Sequence, residues 1–165
     1  MNTCIVETPL RIGLEIRAND GLIVAADFVA RKPATARITD PVLREAALQV
    51  RAYFNRKLQV FDLPLHFEGT ALQVETWRAV STLAFGHFVS YAEVAHAIGH
   101  PRSHRGVAAA MGKTKIDLFV PAHRVVGADG RLRGCTPRSI RARLAVFEGK
   151  TLAGLTVRGS GATRP

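Results

Sequence analysis

Few side chains in this sequence could act as nucleophiles or metal ligands. Its two cysteines, Cys4 and Cys135, are far apart and form no pattern, which argues against a disulfide framework or a cysteine zinc cage. The five histidines before residue 105 lack metal-ligand spacing; His96 and His100 are four residues apart, but Gly99 interrupts the helix between them. We therefore expect no metal and no cofactor. Chemistry at a thiol would require a lowered pKa, because the thiolate is the nucleophile.

The basic residues are concentrated in the C-terminal part of the chain. The formal net charge is +10; residues 1–68 hold nine Lys/Arg and eight Asp/Glu, whereas residues 69–165 hold fourteen and five. Two stretches without acids, Arg102–Lys115 and Arg131–Arg143, carry much of this excess. Such a distribution favours a nucleic-acid partner. No apolar run approaches the roughly 18 residues of a membrane helix, so no membrane partner is expected.

The N-terminal 67 residues predict a small α/β domain. Apolar stretches at Cys4–Val6, Ile12–Ile16 and Leu22–Val29, separated by turn residues, are typical of an antiparallel meander. Asp40 followed by Pro41 then supplies an N-cap and a first-turn proline for an amphipathic helix that should pack on the sheet. Extended chain through Leu63-Pro64-Leu65 follows, and the boundary is expected near residue 67.

Residues 68–150 predict a mainly helical domain. Capping boxes at Thr70–Gln73 and Ser90–Glu93 start helices to about Ser81 and Ile98, and the first should bury Leu72, Trp77 and Val80. Ser103 is expected to cap another helix that runs to Met111 and ends at Gly112, so residues 90–112 have the pattern of a helix-turn-helix.

The remaining chain predicts short extended segments at Leu118–Val120 and Val125–Val126, a turn at 128–130, and a last helix from Thr136-Pro137 to Glu148. Residues 151–165 are expected to be a mobile tail. The fold class is thus α+β, with a small N-terminal antiparallel sheet and helix followed by the helical domain.

The second helix of the helix-turn-helix is composed almost entirely of small residues, from Ser103 to Met111. Its backbone could therefore approach a groove closely at Gly106 and Ala109 while Arg105 projects from it. The alternative is that glycine and alanine serve close helix packing.

A series of short motifs follows in order along the second half of the chain: Ser90-Tyr91, Glu93, Gly99, Pro101, Arg105-Gly106-Val107, Val120-Pro121-Ala122-His123-Arg124-Val125-Val126-Gly127, Gly130, Leu132, Gly134 and Glu148-Gly149. This series resembles the O6-alkylguanine-DNA alkyltransferases, the methylated-DNA–protein-cysteine methyltransferase family. The resemblance extends from about Gly69 to Gly149 and implies an N-terminal α/β domain before a helical DNA-binding domain.

The resemblance implies that the second helix enters the minor groove of duplex DNA. Arg105 would fill the space of a flipped nucleotide, and Tyr91 would help to turn the base out by crowding its phosphate. Surrounding Lys and Arg side chains would contact phosphates. The DNA-binding residues expected on this basis are Tyr91, Arg105, Gly106, Ala109, Arg124 and Arg133.

The centre of the family site is a cysteine followed by His-Arg, with an asparagine and a distant glutamate around the histidine. Here His123, Arg124 and Glu148 stand at matching positions, but Ala122 replaces the cysteine and Lys113 replaces the asparagine. A methyl group cannot accept an alkyl cation. The family reaction therefore cannot proceed through position 122.

The segment that resembles the family's lid also departs from the pattern. It reads Gly134-Cys135-Thr136-Pro137-Arg138, one residue shorter than usual, with Cys135 where a tyrosine normally lines the alkyl pocket. Arg133, Arg138 and a helix start at Pro137 are expected to favour a thiolate there. Cys135 is consequently a candidate alternative acceptor.

The leading hypothesis is a DNA repair protein of the alkyltransferase-like branch, whose members bind O6-alkylguanine in duplex DNA without repairing it and pass it to nucleotide excision repair. That branch often has tryptophan at position 122, so alanine predicts a roomier pocket. One alternative is an alkyltransferase enzyme, either disabled by a Cys-to-Ala change or active through Cys135; because Lys113 and the lid also depart, natural divergence is favoured. The other is a helix-turn-helix regulator. A monomer in the cytoplasm, associated with the nucleoid in a bacterium, is expected.

Overall fold

In a computed structural model of the protein, which describes residues 1–136 and 138–150, three antiparallel strands begin the chain. They are β1 (Asn2–Glu7), β2 (Gly13–Asn19) and β3 (Leu22–Val29), and they pair in sequence order. Asp20 and Gly21 join β2 to β3 with φ values of 49° and 76°, the left-handed geometry of a two-residue hairpin turn. The predicted meander is confirmed.

Helix α1 (Pro41–Phe54) covers this sheet and contacts all three strands. Asp40 caps it, because its side chain accepts hydrogen bonds from the backbone N–H groups of Val42 and Leu43. The apolar face of α1 is buried at Leu43, Ala46, Ala47, Val50 and Tyr53. Both the cap and the packing agree with the sequence prediction.

Two later segments complete the first compact unit, which comprises Met1–Gly69 and Thr114–Val120. Leu65 pairs with Ile23, and Ile116 pairs with Ala26, so each segment hydrogen-bonds to β3. The prediction of an extended segment at Leu118–Val120 is wrong. Leu118 has a φ of 69° and lies in a turn, because the backbone reverses to bring Val120 beside Asp117.

The second unit comprises Thr70–Lys113 and the chain from Pro121 onward. The boundary predicted near residue 67 had assigned residues 114–120 to the C-terminal domain instead.

The first elements of the second unit are α2 (Ala71–Val80), β4 (Val89–Ser90), α3 (Tyr91–Ala97) and α4 (His104–Met111), and the three helices contact one another. Both predicted capping boxes are present. Ser103 occupies the N-cap position of α4 but makes no side-chain cap, contrary to expectation.

The C-terminal elements bring residue 122 beside the last helix. A 3₁₀ turn at Ala122–Arg124 leads into β5 (Val125–Val126), which pairs in parallel with β4, and α5 (Ile140–Phe147) contacts the turn. Helix α5 begins later than predicted, after Ser139 rather than at Thr136-Pro137. Pro137 and the predicted tail, residues 151–165, lie outside the described residues.

The architecture is α+β, as predicted from the sequence. Among the described residues, the longest helix is α1, with 14 residues. Within residues 1–136 and 138–150, none has both the length and the apolar character that crossing a membrane requires.

Candidate functional site

The 3₁₀ turn at Ala122–Arg124 presents three consecutive side chains with different surroundings. Pro121 precedes it, and the Arg124 N–H donates to the Pro121 carbonyl at 2.9 Å. Ala122 is buried, with 7% of its surface exposed, and its methyl group offers neither a lone pair nor an acidic proton. Position 122 is thus held by regular local structure but cannot be alkylated.

His123 and Arg124 converge on the carboxylate of Glu148, which follows α5. The His123 imidazole hydrogen-bonds through Nε2 to Oε2 of Glu148. Arg124 donates from Nε to Oε1 at 2.8 Å and from Nη2 to Oε2 at 3.1 Å, the bidentate geometry that a guanidinium favours with a carboxylate. All three side chains are essentially inaccessible to solvent. The predicted neighbourhood of His123 and Glu148 is therefore present.

Two backbone groups of the loop between α2 and β4 complete this buried network. The Gly86 N–H donates to Oε1 of Glu148 at 2.8 Å, and Arg124 Nη1 donates to the Leu83 carbonyl at 2.6 Å. Gly86 has a φ of 76°, a conformation that glycine adopts without strain. Neither residue was predictable from the sequence, since every residue carries the same backbone groups; a glycine within an aromatic loop was the only signal.

The network determines the ionisation of its titratable members. Burial alone would raise the pKa of Glu148, but the hydrogen bonds from His123, Arg124 and Gly86 hold it well below its usual range. Burial lowers the pKa of His123, against the opposing effect of Glu148. A neutral His123 that donates from Nε2 to Glu148 has Nδ1 unprotonated, so it can accept a proton. His123 and Glu148 are thus arranged like the base and the orienting carboxylate that activate a thiol, but the preceding residue, Ala122, has no thiol.

Two residues that the sequence analysis placed at the site have other surroundings. Arg124 was expected to bind DNA, but it is only 1% exposed and its guanidinium is engaged by Glu148 and Leu83, so that assignment is wrong. Lys113 lies exposed just after α4, whereas His123 and Glu148 are buried. The lysine therefore does not take part in the buried network as an asparagine beside the histidine would.

Helix α4 has one exposed face and one packed face. Arg105 and Ala109, four residues apart, are both exposed. Gly106 instead faces α2, because a Cβ on it would lie 2.7 Å from Cδ2 of Leu72. Gly106 was expected to contact DNA, yet its lack of a side chain serves helix packing. Leu72 itself is only partly buried, contrary to prediction.

Trp77 fixes the C-terminal end of α4 against α2. Its indole Nε1–H donates to the Ala110 carbonyl at 2.8 Å, and the ring is buried. A buried indole N–H requires such an acceptor, and the Ala110 carbonyl in the last turn of α4 accepts from it as well as from the Lys113 N–H at 3.1 Å. The prediction that Trp77 belongs to the core is confirmed, and the tryptophan also orients the helix that carries Arg105.

Tyr91 begins α3 and is 8% exposed. Burial raises the pKa of its hydroxyl, against the lowering effects of Arg141 and of a hydrogen bond to the backbone of Arg133. Tyr91 therefore links the helix-turn-helix to the segment after β5.

Cys135 is a core residue of that segment. It is 3% exposed and packs in a cluster of small and apolar side chains, and its thiol donates to the Arg133 carbonyl at 3.5 Å. Burial raises the pKa of the thiol, only partly offset by Arg141. The expected stabilisation of a thiolate is thus wrong, and α5, whose start was expected to contribute to it, begins at Ile140. The other members of the cluster are Val126, Leu132, Ala142 and Ala145, with Phe88 against them.

Arg133, another residue expected to bind DNA, folds back on the turn that precedes it. Its guanidinium lies against Gly127, and Nη2 is 3.6 Å from Oδ1 of Asp129. One third of its side chain is exposed. From the sequence, Asp129 had been placed in the turn at 128–130 and Gly127 in the family motif, but neither had been connected with Arg133. Over residues 1–136 and 138–150, no group of three or more His, Cys, Asp or Glu side chains could hold a metal ion.

Comparisons with known proteins agree on one group of relatives. The family model described as 6-O-methylguanine DNA methyltransferase, DNA binding domain, matches residues 71–149. A methylated-DNA–protein-cysteine methyltransferase of Methanosarcina barkeri is 38% identical over 135 residues, which are 79% of this chain and 85% of that protein. The constitutive enzyme of that name from Bacillus subtilis is 38% identical over 94 residues, 57% of each chain. The crystal structure of Mycobacterium tuberculosis OGT in complex with DNA superposes with a TM-score of 0.72 and 32% identity, covering 87% of this chain and 90% of that one.

Proposed function

The chain belongs to the O6-methylguanine-DNA methyltransferase family, and from this premise we propose that it binds O6-alkylguanine in duplex DNA without accepting the alkyl group. The observation that carries the proposal is Ala122 beside an intact network of His123, Glu148 and Arg124. The family transfers an alkyl group to a cysteine, and alanine has no atom that can form the new bond.

The retained network keeps the turn at residue 122 folded, which a binding role also requires. A buried Arg–Glu–His cluster is costly to disrupt, because removing one partner leaves an unpaired buried charge. Here its groups also hold the loop at Leu83 and Gly86. The network thus stabilises the 3₁₀ turn that carries position 122 whether or not a nucleophile is present.

The exposed face of α4 and the basic charge supply the DNA-binding surface in this proposal. Arg105 and Ala109 would enter the minor groove, with Arg105 in the space of the extruded nucleotide. Tyr91, at the start of α3, would meet the adjacent phosphate. The excess of Lys and Arg after residue 68 would provide most of the affinity through released counterions.

The alternative acceptor, Cys135, is disfavoured by its surroundings. A buried thiol with a raised pKa is a poor nucleophile, and its sulfur is engaged with the Arg133 carbonyl.

A lesion that is bound but not repaired needs a downstream pathway, and we propose excision of the damaged strand by nucleotide excision repair proteins.

The proposal is tested by combining a binding titration with intact-mass measurement. The protein is titrated with a duplex containing one O6-methylguanine and with the matched undamaged duplex at several salt concentrations, and its mass is recorded after long incubation. We expect tighter binding to the lesion and no added methyl group. Equal affinity for the two duplexes would favour a helix-turn-helix regulator, and a methyl adduct absent from Cys135→Ser would show transfer to that thiol.

A further inference from the structure

Asp129 is an isolated carboxylate in a basic part of the chain. After Asp117 the sequence contains only two acids, Asp129 and Glu148, and Glu148 is buried. Asp129 is exposed and stands close in sequence to Arg131 and Arg133. A surface carboxylate repels phosphates, so on a DNA-binding protein it needs a compensating role.

The geometry of the turn shows what Asp129 does in the free protein. Its Oδ1 accepts a hydrogen bond from the Arg131 backbone N–H at 3.1 Å and lies 3.6 Å from Nη2 of Arg133. Its Oδ2 lies 3.8 Å from Nε of Arg131. The carboxylate therefore closes the turn and draws both guanidinium groups toward itself.

Gly127 leaves the space that the Arg133 guanidinium occupies. A Cβ built on Gly127 would lie 2.5 to 2.9 Å from three guanidinium atoms, Nε, Nη2 and Cζ. Those distances are too short for any side chain larger than hydrogen. The arginine can occupy this place only because residue 127 is glycine.

The backbone of Arg133 belongs to Leu132–Cys135, which we call the lid segment because it runs into Gly134 and Cys135 of the lid-like sequence motif. Leu132 is fully buried, and the Arg133 carbonyl accepts the Cys135 thiol hydrogen bond. The Tyr91 hydroxyl interacts with the backbone of the same residue. Arg133 thus connects the turn, through its side chain, to the lid segment and α3, through its backbone.

We propose that Asp129 and Gly127 hold Arg133 as a brace for the lid segment, so that Arg133 is a positioning residue for lesion recognition and not a phosphate contact. This inference rests on the proposed function, because it assumes that the lid segment adjoins the bound lesion. It assigns Asp129 a role in discrimination: the carboxylate keeps an arginine off the DNA backbone, where it would strengthen binding to every sequence equally.

The brace is weak enough to be released by single substitutions. Both members of the Asp129–Arg133 pair are partly exposed, with atoms more than 3.5 Å apart, and such surface pairs contribute little stability. Asp129→Asn removes the attracting charge. Gly127→Ala displaces the guanidinium without changing the net charge. Arg133→Ala removes the brace itself.

The experiment measures affinity for O6-methylguanine duplex and for undamaged duplex over a range of salt concentrations. All three variants should reduce the lesion preference by about three- to tenfold, the scale for residues that modulate a site they do not touch. Gly127→Ala should also steepen the salt dependence on undamaged duplex by about one unit of log–log slope, because a freed arginine neutralises one more phosphate. Asp129→Asn should steepen it by about one to two units, because it releases Arg131 as well as Arg133. Arg133→Ala should leave that slope unchanged.

Asp20→Asn is the control for charge, since it makes the same replacement in the exposed β2–β3 turn of the first unit; we expect it to alter neither quantity. A flatter slope with retained lesion preference in Arg133→Ala would overturn the brace, because Arg133 would then be a phosphate contact. Unchanged preference in Gly127→Ala would also overturn it. If the unsubstituted protein shows no lesion preference, the proposed function fails, and the salt slopes alone still decide whether Arg133 is held off the phosphates.

Discussion

Replacing Glu148 with glutamine should destabilise the second unit far more than a change of one formal charge on the surface would. The carboxylate accepts hydrogen bonds from His123, twice from Arg124, and from the Gly86 N–H. Glutamine keeps the size and one acceptor oxygen, but its amide nitrogen cannot accept from either Arg124 or His123. The buried guanidinium would lose its counterion.

The size of the effect follows from burial. Breaking a fully buried ion pair by removing one partner costs about 3 to 5 kcal/mol, whereas an exposed pair contributes about 0 to 1 kcal/mol. Glu75 supplies the matched control, because its carboxylate pairs with His100 at 3.0 Å but both side chains are 48% exposed. We therefore expect Glu148→Gln to lose several kcal/mol and Glu75→Gln less than 1 kcal/mol, by the same two principles.

Urea unfolding monitored by Trp77 fluorescence is the appropriate assay. Trp77 is the only tryptophan of the chain and is buried in the second unit, so its signal reports on the unit that contains Glu148. With a typical urea dependence of about 2 kcal/mol per molar, the midpoint should fall by roughly 2 M. If Glu148→Gln and Glu75→Gln shift the midpoint equally, the buried network does not stabilise the fold as argued here.

Three further outcomes are expected. Ala122→Cys should become methylated once by an O6-methylguanine duplex, because the pair of His123 and Glu148 that could orient a proton acceptor for a thiol is retained; lesion binding without a mass gain would mean that the retained network cannot activate a nucleophile. Arg105→Ala should weaken lesion binding by roughly 1 to 3 kcal/mol, in the range of a specific base contact, and an equal loss on undamaged duplex would reduce Arg105 to a phosphate contact. Lowering the pH should reduce the free energy of unfolding in two steps, because the folded-state pKa values of His123 and Glu148 are both depressed. The first step begins below the ordinary histidine pKa of 6.5 and should be absent from His123→Gln, and the second begins below the ordinary glutamate pKa of 4.5. Urea midpoints measured at each pH would show both steps.

The helices could be predicted from the sequence wherever a side chain caps the N-terminus of the helix. Asp40, Thr70 and Ser90 each accept backbone hydrogen bonds as their positions in the sequence suggested. Ser103 has the same chemistry but does not use it, and α5 starts later than the Thr-Pro pair implied. A polar residue before a helical pattern therefore predicts that a helix is present more reliably than it predicts the residue at which the helix begins.

The site was predictable in its members but not in its contacts. The types and order of His123, Arg124 and Glu148 pointed to one cluster. The family resemblance also suggested that Arg124 binds DNA, whereas its guanidinium is buried against the carboxylate of Glu148. Cys135 was judged by its charged neighbours in sequence, while burial controls its pKa. Gly127 belonged to the family motif, but its contact with Arg133 was not predictable, because the glycine leaves space for a side chain six positions later.

The return of Thr114–Val120 to the first unit has a consequence for how the protein is made. Ala26 exchanges backbone hydrogen bonds with Lys115 and Asp117, residues separated from it by more than half of the chain. During synthesis from the N-terminus, the three-stranded sheet emerges early but lacks these partners until α4 has also been translated. The N-terminal segment must therefore wait, incompletely paired, for the middle of the chain, and position 122 is translated directly after the segment that completes it.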